Sequence, residues 1–282
     1  MSALPALDLK TYPDTGYLPK RQQVTETEYW EQYYHSDFSY EWDNGSLEEK
    51  PVSDVLTISM YKWFFELLEH YLKTHPIAQS VLLEMGFRLR LPQKTVIRQP
   101  DLGVVLNTNR VPLLPEDKSY QGTFDLCVEA ISDSKDRDIK RDTEDKKAEY
   151  AQAGVKEYYI LDGHNRYLEF YQLNANRVYV PIKPVRGKII QSTVLPDFQF
   201  WIEDLFTKPS PDEMIDDPIY QGFVLPKYRQ EKLARLQAEK QTEAEKQGRQ
   251  QAEKQAQQAE KQAQQLAEKL RSLGIDPENI SV

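Results

Sequence analysis

The sequence predicts an α/β domain, a mixed sheet flanked by helices, followed by a C-terminal helical, coiled-coil-like tail. Three observations carry this expectation. Apolar runs with strand character alternate with stretches of helical periodicity between about residues 40 and 206. A hydrophobic fraction of 39% with 17 Tyr, 10 Phe and 4 Trp is enough to build a core. From about Tyr228 to Leu273 the composition changes, with no proline, one glycine and a dominance of Gln, Ala, Glu and Lys.

In chain order, residues 1–39 form a polar, aromatic-rich lead-in, and Thr25-Glu26-Thr27-Glu28 reads as a capping box opening a short helix through Tyr34. Tyr40–Leu47 reads as a strand and turn around Asn44-Gly45. Ile58, Tyr61, Phe64, Phe65, Leu68 and Leu72 fall at helical intervals within an amphipathic helix from about Ser53 to Thr74. Ser80–Leu91, Leu102–Leu106 and Phe124–Ile131 carry strand signals, and the last, apolar on both faces, predicts a central strand. The charged stretch Ser132–Asp145 leads into a helix ending at Gly154, placed as a C-cap. Glu157–Leu161, Tyr167–Leu173 and Val178–Ile182 predict further strands. Residues 40–206 thus form the main domain, 207–227 a linker, 228–273 the helical tail and 274–282 an extension. In the tail, Ala252, Ala256, Ala259, Ala263, Leu266, Leu270 and Leu273 step by four and three, a heptad seam that predicts helix association, with a solvated single helix as the plainer reading.

Composition narrows the chemistry. The single cysteine, Cys127, excludes an internal disulfide and a cysteine-rich zinc site and suits a reducing, cytoplasmic location. Met1–Lys10 carries no secretory pattern, and the apolar cluster Met60–Leu72 is too short and too charged to span a membrane. From Lys227 onward there are 11 basic and 9 acidic residues, so the preceding part holds 25 against 36, a net charge of −11. Nucleic-acid binders are normally basic, so a nucleic-acid enzyme of this composition needs a locally basic cleft or a divalent cation.

The residues that could carry chemistry are Asp101, Glu129 and Lys146. Asp101 opens a strand, at the sheet edge. Period-two geometry puts Asp125, Cys127 and Glu129 on one strand face, and an ionised glutamate there is costly unless paired, hydrogen-bonded or ligating a metal. Two carboxylates suit Mg2+, and a nearby lysine could orient water or stabilise developing phosphate charge. Plainer readings stand beside these: Asp101 as a turn acid, Glu129 in a structural network, Lys146 as a solvated helix lysine, Cys127 as a buried strand residue and His70 as packing. His35, His75 and His164 form no pair at metal-ligand spacing. The Lys135–Lys147 stretch suits a solvated loop as well as a phosphate contact.

Several segments, in order and spacing, carry a resemblance. They are Tyr40-Glu41-Trp42-Asp43-Asn44-Gly45 through Lys50-Pro51, Val96–Asp101, Asp125–Ser132, Lys146–Tyr150 with Ala153-Gly154-Val155, Glu157–Asp162 and Ser192–Pro196. Over roughly residues 25–206 the chain resembles the Uma-type restriction endonuclease family of the PD-(D/E)xK nuclease superfamily. The resemblance implies a restriction-endonuclease-like fold and a motif mapping onto Asp101 and Glu129. It departs at Ile131, where the motif lysine would stand; the resemblance implies that the next helix supplies it, at Lys146, with Lys147 as the near alternative. Glu41 matches a further acidic position, as a ligand or an orienting group.

The expected function is therefore metal-dependent hydrolysis of DNA phosphodiester bonds, with Mg2+ or Mn2+ on Asp101 and Glu129, assisted by Lys146. DNA is the expected partner, a homodimer the expected assembly, and no membrane association is expected. The alternative is an inactive nuclease-fold scaffold assembled through its tail, which the acidic main domain and heptad seam favour.

Overall fold

The computed structural model describes residues 23–132 and 135–272, so Met1–Lys10, Leu273 and the 274–282 extension lie outside the described residues. The chain divides into two compact units, Met1–Ser210 and Pro211–Val282.

The first unit opens on α1 (Glu26–Glu28), where the capping box is formed: Glu28 N–H donates to Thr25 Oγ1 at 3.2 Å, and Thr25 N–H to the Glu28 carboxylate at 2.6 Å. A π-helical turn, Tyr29–Tyr33, follows. β1 (Tyr40–Asp43) and β2 (Ser46–Glu49) form a hairpin over Asn44 (φ 45°) and Gly45 (φ 103°), the two positive φ angles that a type I′ turn requires.

The helix expected from Ser53 is α2 (Val55–Thr74), capped by the Asp54 carboxylate, which accepts from Leu56 N–H at 2.8 Å and Thr57 N–H at 3.1 Å. Its buried stripe is Met60, Trp63, Phe64, Leu67, Leu68 and Tyr71. Of the six residues assigned to the apolar face from sequence, only Phe64 and Leu68 lie in it, while Ile58 is 45% exposed. Flanking apolar residues had widened the apparent stripe toward a groove that Ile58 and Tyr61 line instead.

The segment Ser80–Leu91 is not one strand. β3 (Ala78–Val81) and β4 (Phe87–Arg90) belong to different sheets, separated by Leu83 and Glu84, which both adopt positive φ, 59° and 57°. β5 (Thr95–Arg98) pairs with both β4 and β1, and β6 (Leu102–Leu106) and β7 (Leu126–Ala130) follow. The charged stretch after β7 is helical rather than a solvated loop. α3 (Asp136–Lys140) passes through a π-helical turn, Arg141–Asp145, into α4 (Lys146–Ala153), and Asp138, Arg141, Asp142 and Lys146 are buried. Gly154 caps α4 with φ +91°, the left-handed conformation expected at its position. β8 (Glu157–Leu161), β9 (Glu169–Leu173), β10 (Tyr179–Pro181), β11 (Ile189–Gln191), β12 (Gln199–Trp201) and α5 (Asp204–Thr207) complete the unit.

The sheets are a four-stranded β2-β1-β5-β4, a six-stranded β10-β9-β8-β7-β6-β3 and a two-stranded β11-β12. The six-stranded sheet is mixed: β7 runs parallel to β8, its other pairings are antiparallel, and β7 is central as expected. On one side Phe64 of α2 packs edge-on against Tyr159, Phe198 and Phe200. On the other, Tyr150 of α4 meets Phe87 and Tyr158, within a core that includes Cys127. The fold is thus a mixed α/β domain flanked by helices. The second unit holds α6 (Pro211–Met214), inside the expected linker, and α7 (Pro226–Ser272), a 47-residue helix with no buried residue. Among the described residues no helix is long and apolar enough to cross a membrane.

Candidate active site

Strand register brings the two sequence-distant acids together. β6 and β7 pair with Leu102 opposite Val128 and Gly103 opposite Cys127, so the next step sets Asp101 across from Glu129. Directly opposite residues of an antiparallel pair project to the same face. Asp101 Oδ2 accepts the Ala130 N–H at 2.7 Å, and the Asp101 carbonyl accepts the Tyr61 hydroxyl at 2.8 Å, which fixes the backbone at the start of β6. Its other oxygen receives Lys50 Nζ at 3.0 Å; that ammonium also donates to the Gln99 carbonyl at 2.7 Å and pairs with Glu84 at 3.3 Å.

Glu129 faces α4. Lys146 Nζ lies 2.9 Å from Glu129 Oε2, and the Tyr150 hydroxyl donates to Oε1 at 2.8 Å. Lys146 and Tyr150 stand one helical turn apart on the same face, so one helix surface satisfies both carboxylate oxygens. Lys146 also contacts Glu41 at 3.1 Å and Asp142 at 3.2 Å. Lys147 is directed elsewhere, its ammonium 3.8 Å from the centre of the Tyr171 ring.

Glu41, from β1, is fully buried; it accepts the Gln99 N–H at 2.9 Å and Arg98 Nη1 at 3.2 Å. Arg98 anchors the network, donating to Glu48 at 2.6 Å and twice to Glu149, at 2.7 and 3.0 Å. The structure therefore brings Asp101, Glu129, Lys146 and Glu41 to one locus. It adds Lys50, Arg98, Arg141, Asp142 and Tyr150, which sequence reasoning did not assign. Two signals were available: Arg98 ends an otherwise apolar strand, and Asp142 lies one helical turn before Lys146.

The electrostatics differ from one group to the next. Burial pushes the Glu129 carboxyl up to about 8 against the attraction of Lys146, with repulsion from Asp101 and Asp142 adding to the rise. Burial opposes ionisation of Glu41 too, but Lys146, Arg98 and Arg141 outweigh it and hold that carboxyl well below the usual range. Burial disfavours the charged forms of Lys50 and Lys146, yet surrounding carboxylates keep both ammonium groups protonated above their ordinary range, Asp101 and Glu129 foremost for Lys50, Asp142 and Glu129 for Lys146.

A cleft of about 10 Å³ is lined by Lys50, Asp101, Glu129, Ser132, Asp142 and Lys146 among others. That is close to the space of a single water, on the order of 10–15 Å³. A groove of about 580 Å³ shares Lys50, Pro51, Asp101 and Ala130 with it and is walled by Phe38, Val52, Ile58 and Tyr61. Among the described residues no cluster of three or more His, Cys, Asp or Glu side chains stands in a metal-holding arrangement. The donor set nonetheless suits Mg2+, which is held through one or two carboxylates and keeps several waters.

With this geometry in view, a family model described as "Putative restriction endonuclease", Uma2, matches residues 27–204. The chain belongs to the Uma2 family. Nuclease chemistry is thus its family-level reading. A solved structure similar to it is that of a "putative nuclease belonging to DUF820" from Anabaena variabilis, with 14% identity and a TM-score of 0.48, covering 61% of this chain and 92% of that one. No curated protein matches the chain.

Proposed function

We propose that this Uma2 protein is a metal-dependent DNA endonuclease in which Asp101 and Glu129 hold Mg2+ or Mn2+ and Lys146 assists hydrolysis. The observation that carries the reading is the convergence of Asp101, Glu129 and Lys146 on one ion-sized cleft, from two strands and a helix. When bound, a divalent cation there would polarise the phosphate and lower the pKa of a water. Lys146, held protonated by three carboxylates, can orient the water or donate to phosphate oxygen. Tyr150 and Lys146 fix the rotamer of Glu129, and the Ala130 N–H fixes that of Asp101. Glu41 serves as an orienting group, because Arg98, Gln99 and Lys146 already engage its carboxylate. Lys50, at the boundary of cleft and groove, holds the other oxygen of Asp101. Residues 40–206 would carry this chemistry and the helical tail would assemble the chain as a homodimer.

A scaffold on the same fold is the second reading; it is favoured by Lys50 and Lys146 already sitting on the two carboxylates. Cleavage of plasmid and single-stranded DNA with Mg2+ or Mn2+ separates them, comparing the natural protein with Asp101→Asn and Lys146→Ala. The endonuclease predicts cleavage that falls by about 100-fold or more in each variant, the usual scale for losing a positioned catalytic group. No cleavage by the natural protein, and no Mn2+ binding that depends on Asp101, would overturn the endonuclease in favour of the scaffold.

A further inference from the structure

A second cavity, of about 510 Å³, opens elsewhere on the same unit and shares no lining residue with the cleft. Its walls come from β4 (Arg88, Arg90), the β6–β7 connection (Arg110, Gln121), the end of α4 and Lys156. Its charge is opposite to that of the domain around it. Four cationic side chains line it against one acid, Asp125, in a region whose sequence sums to −11. Asp125 is spoken for: it accepts from Leu106 N–H and Asn109 Nδ2, each at 2.8 Å, and pairs with Lys156 at 2.7 Å. Arg88 is likewise engaged by the Glu26 carboxylate. The Arg90 and Arg110 side chains are exposed and make no hydrogen bond or close ion pair among the described residues, although Arg90 lies within electrostatic reach of Glu26. Two such guanidinium groups in a groove that also holds Thr108, Thr123 and Gln121 suit phosphate oxygens, which planar arginine binds with two parallel hydrogen bonds.

We infer that this groove binds the phosphodiester backbone of a nucleic acid, with Arg90 and Arg110 as the phosphate-binding side chains. The inference rests on the endonuclease reading for its ligand. The groove lies beside Asp125, just before the start of β7, and the cleft lies toward the end of that strand, at Glu129. The groove would thus supply the local positive charge that an acidic domain lacks at the cleft, where the lysines are neutralised by carboxylates.

The test is fluorescence anisotropy of a labelled DNA duplex with the full chain in EDTA, titrated with salt, for the natural protein, Arg90→Ala/Arg110→Ala and the control Lys183→Ala. Both side chains are exposed and form no hydrogen bond or close ion pair among the described residues, so the double variant keeps its fold, which a thermal melt verifies. The inference predicts affinity lower on the order of 50-fold at about 0.1 M salt and a log–log salt slope shallower by about 2, as for the loss of two phosphate contacts. Lys183→Ala leaves both unchanged. Unchanged binding in the double variant overturns the inference, even where the natural protein cleaves DNA and the endonuclease stands. Binding that falls as expected in a protein that never cleaves retains the groove and removes the endonuclease. Calorimetric titration with inorganic phosphate forms a second arm: phosphate bound through these arginines, with DNA affinity unaltered by their loss, would overturn the inference in favour of a small-anion site.

Discussion

Arg98 has no exposed surface, yet its guanidinium meets carboxylates from β1, β2 and α4. A planar fork suits that task where an ammonium does not, because two of its bonds run in parallel to Glu149. Removing one partner of a buried ionic network leaves the others unpaired, at a cost of about 3–5 kcal/mol. Arg98→Met should therefore lower the urea midpoint by that equivalent, and Arg98→Lys should recover only part of it. Glu41 gives the same network a pH dependence. Its folded carboxyl lies below its unfolded value, so its contribution is complete above the ordinary carboxylate range and is lost as pH falls through the folded value. Urea midpoints measured from about pH 7 down to pH 3 should fall more steeply for the natural protein than for Glu41→Gln. A flat profile in the natural protein would count against the network as a source of stability. At this scale, family resemblance made Asp101, Glu129, Lys146 and Glu41 legible. Lys50 was not, and Arg98 was marked only as a charge ending β5, because their partners lie about 50 residues away in sequence.

Elements were legible where their signals are local. Thr25 with Glu28, Asn44 with Gly45 and Gly154 each state a backbone requirement within a few residues, and each is met in the structure. Gly154 permits a clean test. A Cβ there would meet nothing within 4 Å, so Gly154→Ala carries only the conformational cost of a left-handed residue, about 1 kcal/mol. Thermal unfolding should show that small loss; a loss several times larger would mean that the α4 end is coupled to the rest of the core. Elements defined by distant partners were harder to read. β11 and β12 form their own small sheet from three-residue strands, too short for period-two alternation to register. The strand predicted over Ser80–Leu91 merged two edges because the kink at Leu83 and Glu84 uses residues that ordinarily avoid positive φ. The π-helical turn at Arg141–Asp145 has no sequence signature at all, although it delivers Arg141 and Asp142 beside Lys146. Such turns are frequent at functional sites.

For the whole molecule the open term is assembly. α7 spans about 70 Å at 1.5 Å per residue, and none of its residues is buried. Helix propensity from alanine, glutamine, lysine and glutamate can maintain it alone, whereas the four-three seam from Ala252 to Leu270 would serve a partner helix. Alanine at most seam positions buries little area, so association should be weak and concentrated at Leu266, which is 61% exposed, and Leu270. Light scattering on the full chain across a concentration series should show a monomer–dimer equilibrium. Leu266→Lys with Leu270→Lys should shift it to monomer, and Ala256→Leu with Ala263→Leu should strengthen it. If the natural protein stays monomeric at all concentrations while the leucine variant dimerises, the seam is in register but too small to associate. The tail is then a single solvated helix. A dimer that survives the lysine substitutions would place the contact outside the heptad seam.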